Sequence, residues 1–361
     1  MNEVGLHKSE LDTPVLWVEL DTLESNIVKL AKHFKDASIN WRPHTKGMKA
    51  PAIAHKTIAQ GAIGVTCAKL GEAEVMAAAG ITDILIANQI VTVQKMTRLV
   101  NLCKQADVKI AVDNADNVKA LGNAALSKGI ELGLLIEVDS GMQRSGVSAG
   151  KPVLELASLI AKTEGLKFLG LMSWEGHTLG FSGQEKQKAI DKAMSHLSES
   201  VAICEANGFH CHIVTGGGSG TAEYTPLTGV ITEIQAGGGI FSDALYSTWN
   251  QLTEPSLFVR TSVTSRPALK RVITDAGYKT LPAWHKQPVA MNFPAIEKYA
   301  PSAEHGVITL KEANKQIKIG DAFDFMIGYS DATVFLHDQI YGIRNDRVEA
   351  VWPLLGRGKL R

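Results

Sequence analysis

The residues best suited to chemistry stand in a few short runs. R-P-H-T-K, Arg42 to Lys46, puts a lysine amine two and four residues from other basic side chains. If the strand before it continues, period-two alternation brings Arg42, His44 and Lys46 to one side. A lysine there is either a counter-ion for phosphate or a nucleophile toward a carbonyl carbon, its pKa lowered by burial and neighbouring positive charge. The ordinary fate of lysine is a solvated surface position, and Lys49 is read that way. E-V-D-S-G-M-Q-R-S-G carries Arg144, which suits an anionic ligand or a structural pair with Asp139. W-E-G-H supplies Trp174, Glu175 and His177; the imidazole is an acid–base candidate or a satisfied structural histidine. T-G-G-G-S-G-T spans Thr215 to Thr221, with Gly216, Gly217 and Gly218 at its centre. A-G-G-G adds Gly237, Gly238 and Gly239. Glycine lets backbone N–H groups approach an anion closely. One triplet is as readily a turn as a site.

The elements that must position these runs are strands. β-branched stretches recur near 39–43, 63–67, 83–87, 108–112, 132–138, 166–172, 211–215 and 231–235. Between them lie Ala-, Glu- and Lys-rich segments with apolar residues at helical spacing. Strands alternating with helices predict a parallel sheet with right-handed crossovers. Eight such units over residues 14–250 predict a TIM (β/α)8 barrel, whose chemistry lies on the loops after the strands. A doubly wound sheet is the rival, but Gly-x-Gly-x-x-Gly does not follow the first strand. Both glycine triplets then fall after strands seven and eight, where such barrels hold phosphate. From 251 to 361 alternating runs bounded by turn residues predict an antiparallel β domain, which residues 1–13 can join. His337 and Asp338 fall inside one of these strand patterns and are read as structural.

Composition narrows the partners. Lys+Arg and Asp+Glu number 37 each in 361 residues, against a nucleic-acid or anionic-membrane partner. Four scattered cysteines, no apolar run of about 18 residues and no signal-peptide pattern point to a reduced cytoplasm.

Phosphate beside a rim lysine fits a sugar-phosphate aldolase or a pyridoxal phosphate enzyme, and spacing alone leaves both open. Resemblance separates them. T-P-V-L-W-V-E-L-D-T-L-E-S-N-I, R-P-H-T-K-G-M-K-A-P, V-D-S-G-M-Q-R-S-G-V, W-E-G-H, T-G-G-G-S-G-T, D-A-G-Y-K and the terminal V-W-P-L-L-G-R-G resemble, in order, fold-type III pyridoxal phosphate enzymes of the D-threonine aldolase and D-serine dehydratase group, relatives of alanine racemase. The resemblance implies that Lys46 holds the cofactor's aldehyde, that Arg144 holds its phenolic oxygen, and that Thr215 and the two glycine triplets bind its phosphate. It implies a homodimer. It implies Trp174 beside the cofactor, where relatives commonly have Tyr. It also implies a divalent-metal pair, His-x-Cys or His-x-Asp, before a Thr in the second domain. Here that stretch is G-Y-S-D-A-T: Asp331 stands at the second ligand position and Tyr329 at the first, with His305 as a conceivable helper. The implied reaction is cleavage of a D-β-hydroxy amino acid to glycine and an aldehyde; the candidate base for the β-hydroxyl proton is His177, from its place after strand six, or a metal-bound group. D-serine dehydration, metal-independent racemisation with Tyr329 as a second base, and non-catalytic cofactor binding are the alternatives.

Overall fold

The structure is a computed structural model and describes residues 3–361; residues 1 and 2 of the expected N-terminal addition lie outside the described residues. The chain forms two compact units. One holds 31–46, 54–237 and 359–361; the other holds the residues up to Leu30, Gly47–Ile53 and Gly238–Gly358. They interleave along the chain, where the sequence reading has consecutive blocks 14–250 and 251–361.

The first unit is the barrel. Its strands are Asn40–Trp41, Val65–Cys67, Asp83–Ile86, Asp107–Val112, Leu132–Asp139, Leu166–Met172, Ile213–Gly216 and Glu233–Ile234, one in each expected stretch. All neighbouring pairs are parallel. The first strand pairs with the eighth. A bridge from His44 to Thr66 joins it to the second, with the Ile63 amide donating to Trp41 O at 2.9 Å. Helices cross between most strands; between the seventh and eighth only a 3-10 turn, Thr225–Thr228, intervenes.

Alternation along the strands sorts the side chains into layers. Leu85, Ala111, Leu135 and Met172 form one buried apolar cluster. Two residues earlier on their strands stand Asp83 and Lys109, bonded to each other at 2.6 Å. Two residues later stand Asp113 and Glu137. An ionic layer therefore lies where the strands begin and a polar layer where they end.

Arg42 belongs to the ionic layer. Its guanidinium donates to Glu233 (3.0 and 3.1 Å) and to Asp83 (2.5 Å). The expected alternation of Arg42, His44 and Lys46 on one strand is corrected. The strand ladder ends at Trp41, and a 3-10 turn, Thr45–Gly47, takes over.

The second unit is antiparallel. Its sheet runs Ile296–Tyr299, Gly306–Leu310, Arg271–Thr274, Leu257–Ala268, Val15–Glu19, Gln339–Arg344, Arg347–Pro353. Val15–Glu19, expected within the block that starts at 14, lies in this sheet, antiparallel to Leu257–Arg260 and parallel to Tyr341–Ile343. Trp17 stacks on Phe258 at 4.7 Å and donates to Asp324 at 3.0 Å. His337 and Asp338 precede a strand rather than lie within one, because Ser330–Thr333 is helical and Val334–Leu336 is a 3-10 turn. His337 is buried and shares a hydrogen bond with Thr280 O at 2.8 Å, a structural role.

Candidate active site

Lys46 stands on the 3-10 turn just past the first strand, partly buried. Its neighbour Thr45 is fully buried and donates to Thr66 O at 3.1 Å, which pins the turn to the second strand. The His44 amide donates to Gln235 O at 3.2 Å, on the chain leaving the eighth strand. Gly237 follows, and a Cβ there would collide with the His44 backbone. The lysine turn and the second glycine run are therefore packed backbone to backbone, an approach only glycine allows. Lys49, expected on the surface, is buried, and its carbonyl accepts from the Gly356 amide at 2.9 Å.

Arg144 lies after the fifth strand, more than half exposed, with Glu137 3.6 Å away. The pair with Asp139 does not form; Asp139 instead accepts from the Gly141 and Gln143 amides at 2.9 and 3.0 Å and shapes the loop. Glu137 is buried and accepts from Gln89 at 2.5 Å and Ser145 at 2.7 Å. Asp113 accepts from the Gly146 amide at 3.0 Å. The loop that carries Arg144 is thus fixed from three strand ends.

The W-E-G-H run follows the sixth strand. Glu175 is fully buried. Its carboxylate accepts from the Thr221 hydroxyl at 2.7 Å, the Thr225 hydroxyl at 2.6 Å and the Gly217 amide at 3.3 Å. Three donors suit an anion. The Gly218 amide donates to Thr221 Oγ1 at 3.1 Å. The amides of Gly217 and Gly218 are therefore taken up in shaping the loop. Trp174 lies over this loop: a Cβ on Gly218 would fall 2.7 Å from its ring. His177 is exposed, with its imidazole over Gly141, whose φ of 123° and missing Cβ make the room. Thr215 is fully buried and its hydroxyl accepts from Gln235 at 3.1 Å. The first, eighth and seventh strands are neighbours in the sheet, so their loops share one sector of the rim.

In the second unit, Gly238 opens a 3-10 turn through Gly239 to Ile240, and the Tyr246 ring fills the space where a Gly238 Cβ would stand. The Tyr246 ring packs against Tyr329, centroids 5.8 Å apart, and Tyr329 donates to Asp331 Oδ2 at 2.8 Å. Burial, then Asp331, pushes the Tyr329 phenol well above its usual range, so it stays protonated. Tyr329 also packs against Trp284 and His285, with ring centroids 6.1 and 5.7 Å away. Asp331 lies against Gly47, the residue after Lys46 in the chain, where a Cβ would collide with the carboxylate. Asp243 is buried and accepts from the Leu245, Tyr246 and Ser330 amides at 3.0, 2.9 and 2.6 Å; burial raises its carboxyl to about 7 against those donors. His305 is exposed in the turn before Gly306. Among the described residues no group of three or more His, Cys, Asp or Glu is placed to hold a metal ion. A neutral phenol whose proton bonds to the carboxylate beside it does not fit a ligand pair.

Sequence reading missed Gln89, Asp113, Glu137, Ser145, Thr221 and Thr225 as supports of this rim, and Asp243 as the anchor of the Leu245, Tyr246 and Ser330 amides in the second unit. The available signal was polar residues directly after buried strands, as in I-A-V-D-N and L-L-I-E-V-D.

Fold and rim together define a barrel enzyme of the alanine racemase type. Residues 18–244 match the family described as "Alanine racemase, N-terminal domain", and residues 256–343 match "Putative serine dehydratase domain"; the chain belongs to this family. It is similar to D-threonine aldolase of Arthrobacter sp. (34% identical, covering 97% of this chain and 94% of that one). It is also similar to 3-hydroxy-D-aspartate aldolase of Paracoccus denitrificans strain Pd 1222 (33% identical, 98% and 94%). Among solved structures, D-threonine aldolase from Filomicrobium marinum superposes with a TM-score of 0.96 at 32% identity, covering 99% of each chain.

Proposed function

We propose that this protein is a pyridoxal phosphate-dependent lyase that cleaves D-β-hydroxy amino acids between Cα and Cβ, giving glycine and an aldehyde. The observation that carries this is full-length similarity to two aldolases of D-β-hydroxy amino acids. The lysine turn packed on the second glycine run supports it. Bound pyridoxal phosphate supplies an electron sink for the pair left by bond cleavage. Lys46 Nζ holds its aldehyde carbon and Arg144 its phenolic oxygen. Thr215, the loop Gly216–Gly218 and the turn beginning Gly237-Gly238-Gly239 seat its phosphate, and Trp174 lies beside it. His177 moves the proton of the substrate's β-hydroxyl at a ring nitrogen. The same reading makes the protein a cytoplasmic homodimer with a small amino-acid substrate.

The assay is D-threonine with the holoenzyme. Acetaldehyde and glycine appear in equal amounts; absence of both products across a panel of D-β-hydroxy amino acids overturns the reading. A dehydratase is the second reading, favoured by the "Putative serine dehydratase domain" match, and the same panel exposes it as ammonia and a keto acid from D-serine.

Glu175 gives a further expectation. In Glu175→Gln an amide NH2 meets the Gly217 N–H, donor against donor, or turns toward the two threonine hydroxyls. The loop loses about 1–3 kcal/mol. The cofactor's dissociation constant therefore rises about tenfold or more, measured by absorbance titration of the apoprotein. An unchanged constant removes Glu175 from any role in the phosphate seat.

A further inference from the structure

We propose that in this chain the Tyr329–Asp331 pair, backed by Tyr246, does without a divalent ion: a phenol hydroxyl takes the role toward the substrate's β-hydroxyl that an ion on a His-x-Asp pair would otherwise have. The proposal rests on the lyase reading for its substrate and on the second unit's geometry for everything else.

A metal needs a lone pair from each ligand and a carboxylate oxygen open to it. Here Asp331 Oδ2 is taken by the Tyr329 hydroxyl at 2.8 Å, and Oδ1 is buried against Gly47, where even a Cβ would collide with it. The Tyr246 ring lies beside the Tyr329 ring, with centroids 5.8 Å apart, so the phenol's proton is committed to Asp331 and its ring is packed. The phenol cannot readily swing away. Its backbone is the extended N-cap residue of Ser330–Thr333, with its carbonyl accepting from the Ala332 amide at 3.2 Å and the Thr333 hydroxyl at 2.9 Å. Its ring is held among Tyr246, Trp284 and His285. The nearby buried carboxylate, Asp243, spends its oxygens on three backbone amides and offers no third ligand. The Tyr329 oxygen keeps lone pairs after donating its proton to Asp331, so the phenol can still accept from an incoming O–H.

The test compares holoenzyme with its Tyr329→His variant, which restores a His-x-Asp pair. Both are stripped with chelator, dialysed against manganese chloride and assayed for bound manganese by atomic absorption. The wild type keeps no stoichiometric manganese, and Tyr329→His binds it at least about tenfold more tightly. Stoichiometric manganese on the wild type, or equal affinity in the two proteins, overturns the proposal. This readout needs no turnover, so it stands apart from failure of the lyase reading. On a D-β-hydroxy substrate that is turned over, the chelated wild type retains its rate and Tyr329→Phe loses about tenfold or more in kcat/KM with the cofactor still bound. A chelated wild type that regains its rate only with manganese, or a Tyr329→Phe variant of unchanged kcat/KM, also overturns it.

Discussion

Lys46→Ala removes the visible absorption of lysine-bound pyridoxal and lowers turnover by about a thousandfold or more. The reason the loss is chemical and not a folding defect lies in how the turn is held. Thr45 is the buried anchor, through Thr66 O, while Lys46 itself is only partly buried. The backbone contact between His44 and Gly237 involves no Lys46 side-chain atom. The variant therefore keeps its far-ultraviolet dichroism and melting temperature while losing the cofactor tether. Borohydride reduction of the wild type and peptide mapping provide the second measurement. The label falls on Lys46 and not on Lys49, which is buried with its carbonyl bonded to the Gly356 amide. Survival of the absorption in Lys46→Ala, or label on another lysine, overturns the assignment on which the rest of the site depends.

The barrel was legible because its strands are short β-branched runs separated by helical sequence, a local signal. Even the two-residue ladders Asn40–Trp41 and Glu233–Ile234 fall within the expected stretches. Partner choice was not legible. V-L-W-V-E reads equally as a barrel strand or as a central strand of an antiparallel sheet, because both are buried on two faces. Its partners, Leu257–Arg260 and Tyr341–Ile343, lie more than two hundred residues downstream. The helix Ser330–Thr333 is only four residues long and leaves no periodicity to read. At the rim, residue types were a sound guide to where Lys46, Arg144 and the glycines stand. They could not show that the Gly217 amide is used internally, since that depends on Glu175, more than forty residues earlier. Nor could they show that Arg42 faces away from Lys46, since Glu233 lies 191 residues from it.

Arg42→Met is expected to destabilise the protein by about 3–5 kcal/mol, because it leaves a buried carboxylate without its cation. Arg42 and Glu233 are 2% and 3% exposed, so water cannot replace the lost bonds. The guanidinium meets Glu233 through Nε and one terminal nitrogen and reaches Asp83 with the other. Lys109 ties Asp83 to Asp107 at 2.6 and 2.7 Å and remains in the variant, but neither bond reaches Glu233. The melting temperature falls on the order of 5–10 °C, by the usual few degrees per kcal/mol. Arg42→Met combined with Glu233→Leu recovers much of the loss, since removing both charges removes the desolvation penalty with the attraction. Acid dependence gives an independent check. Burial works to raise the Asp83 carboxyl, but Arg42 and then Lys109 outweigh it and hold it below the usual range. A depressed folded pKa contributes stability that is present above the unfolded value of about 3.9 and is lost as pH falls through the folded one. The wild type therefore loses this contribution below about pH 4, and Arg42→Met, which lacks most of it already, shows a shallower decline there. This layer lies where the strands begin, while Lys46 follows the end of its strand, so the folded variant keeps its turnover at low temperature. A variant that melts within about 1 °C of the wild type shows that the barrel floor does not need this cation.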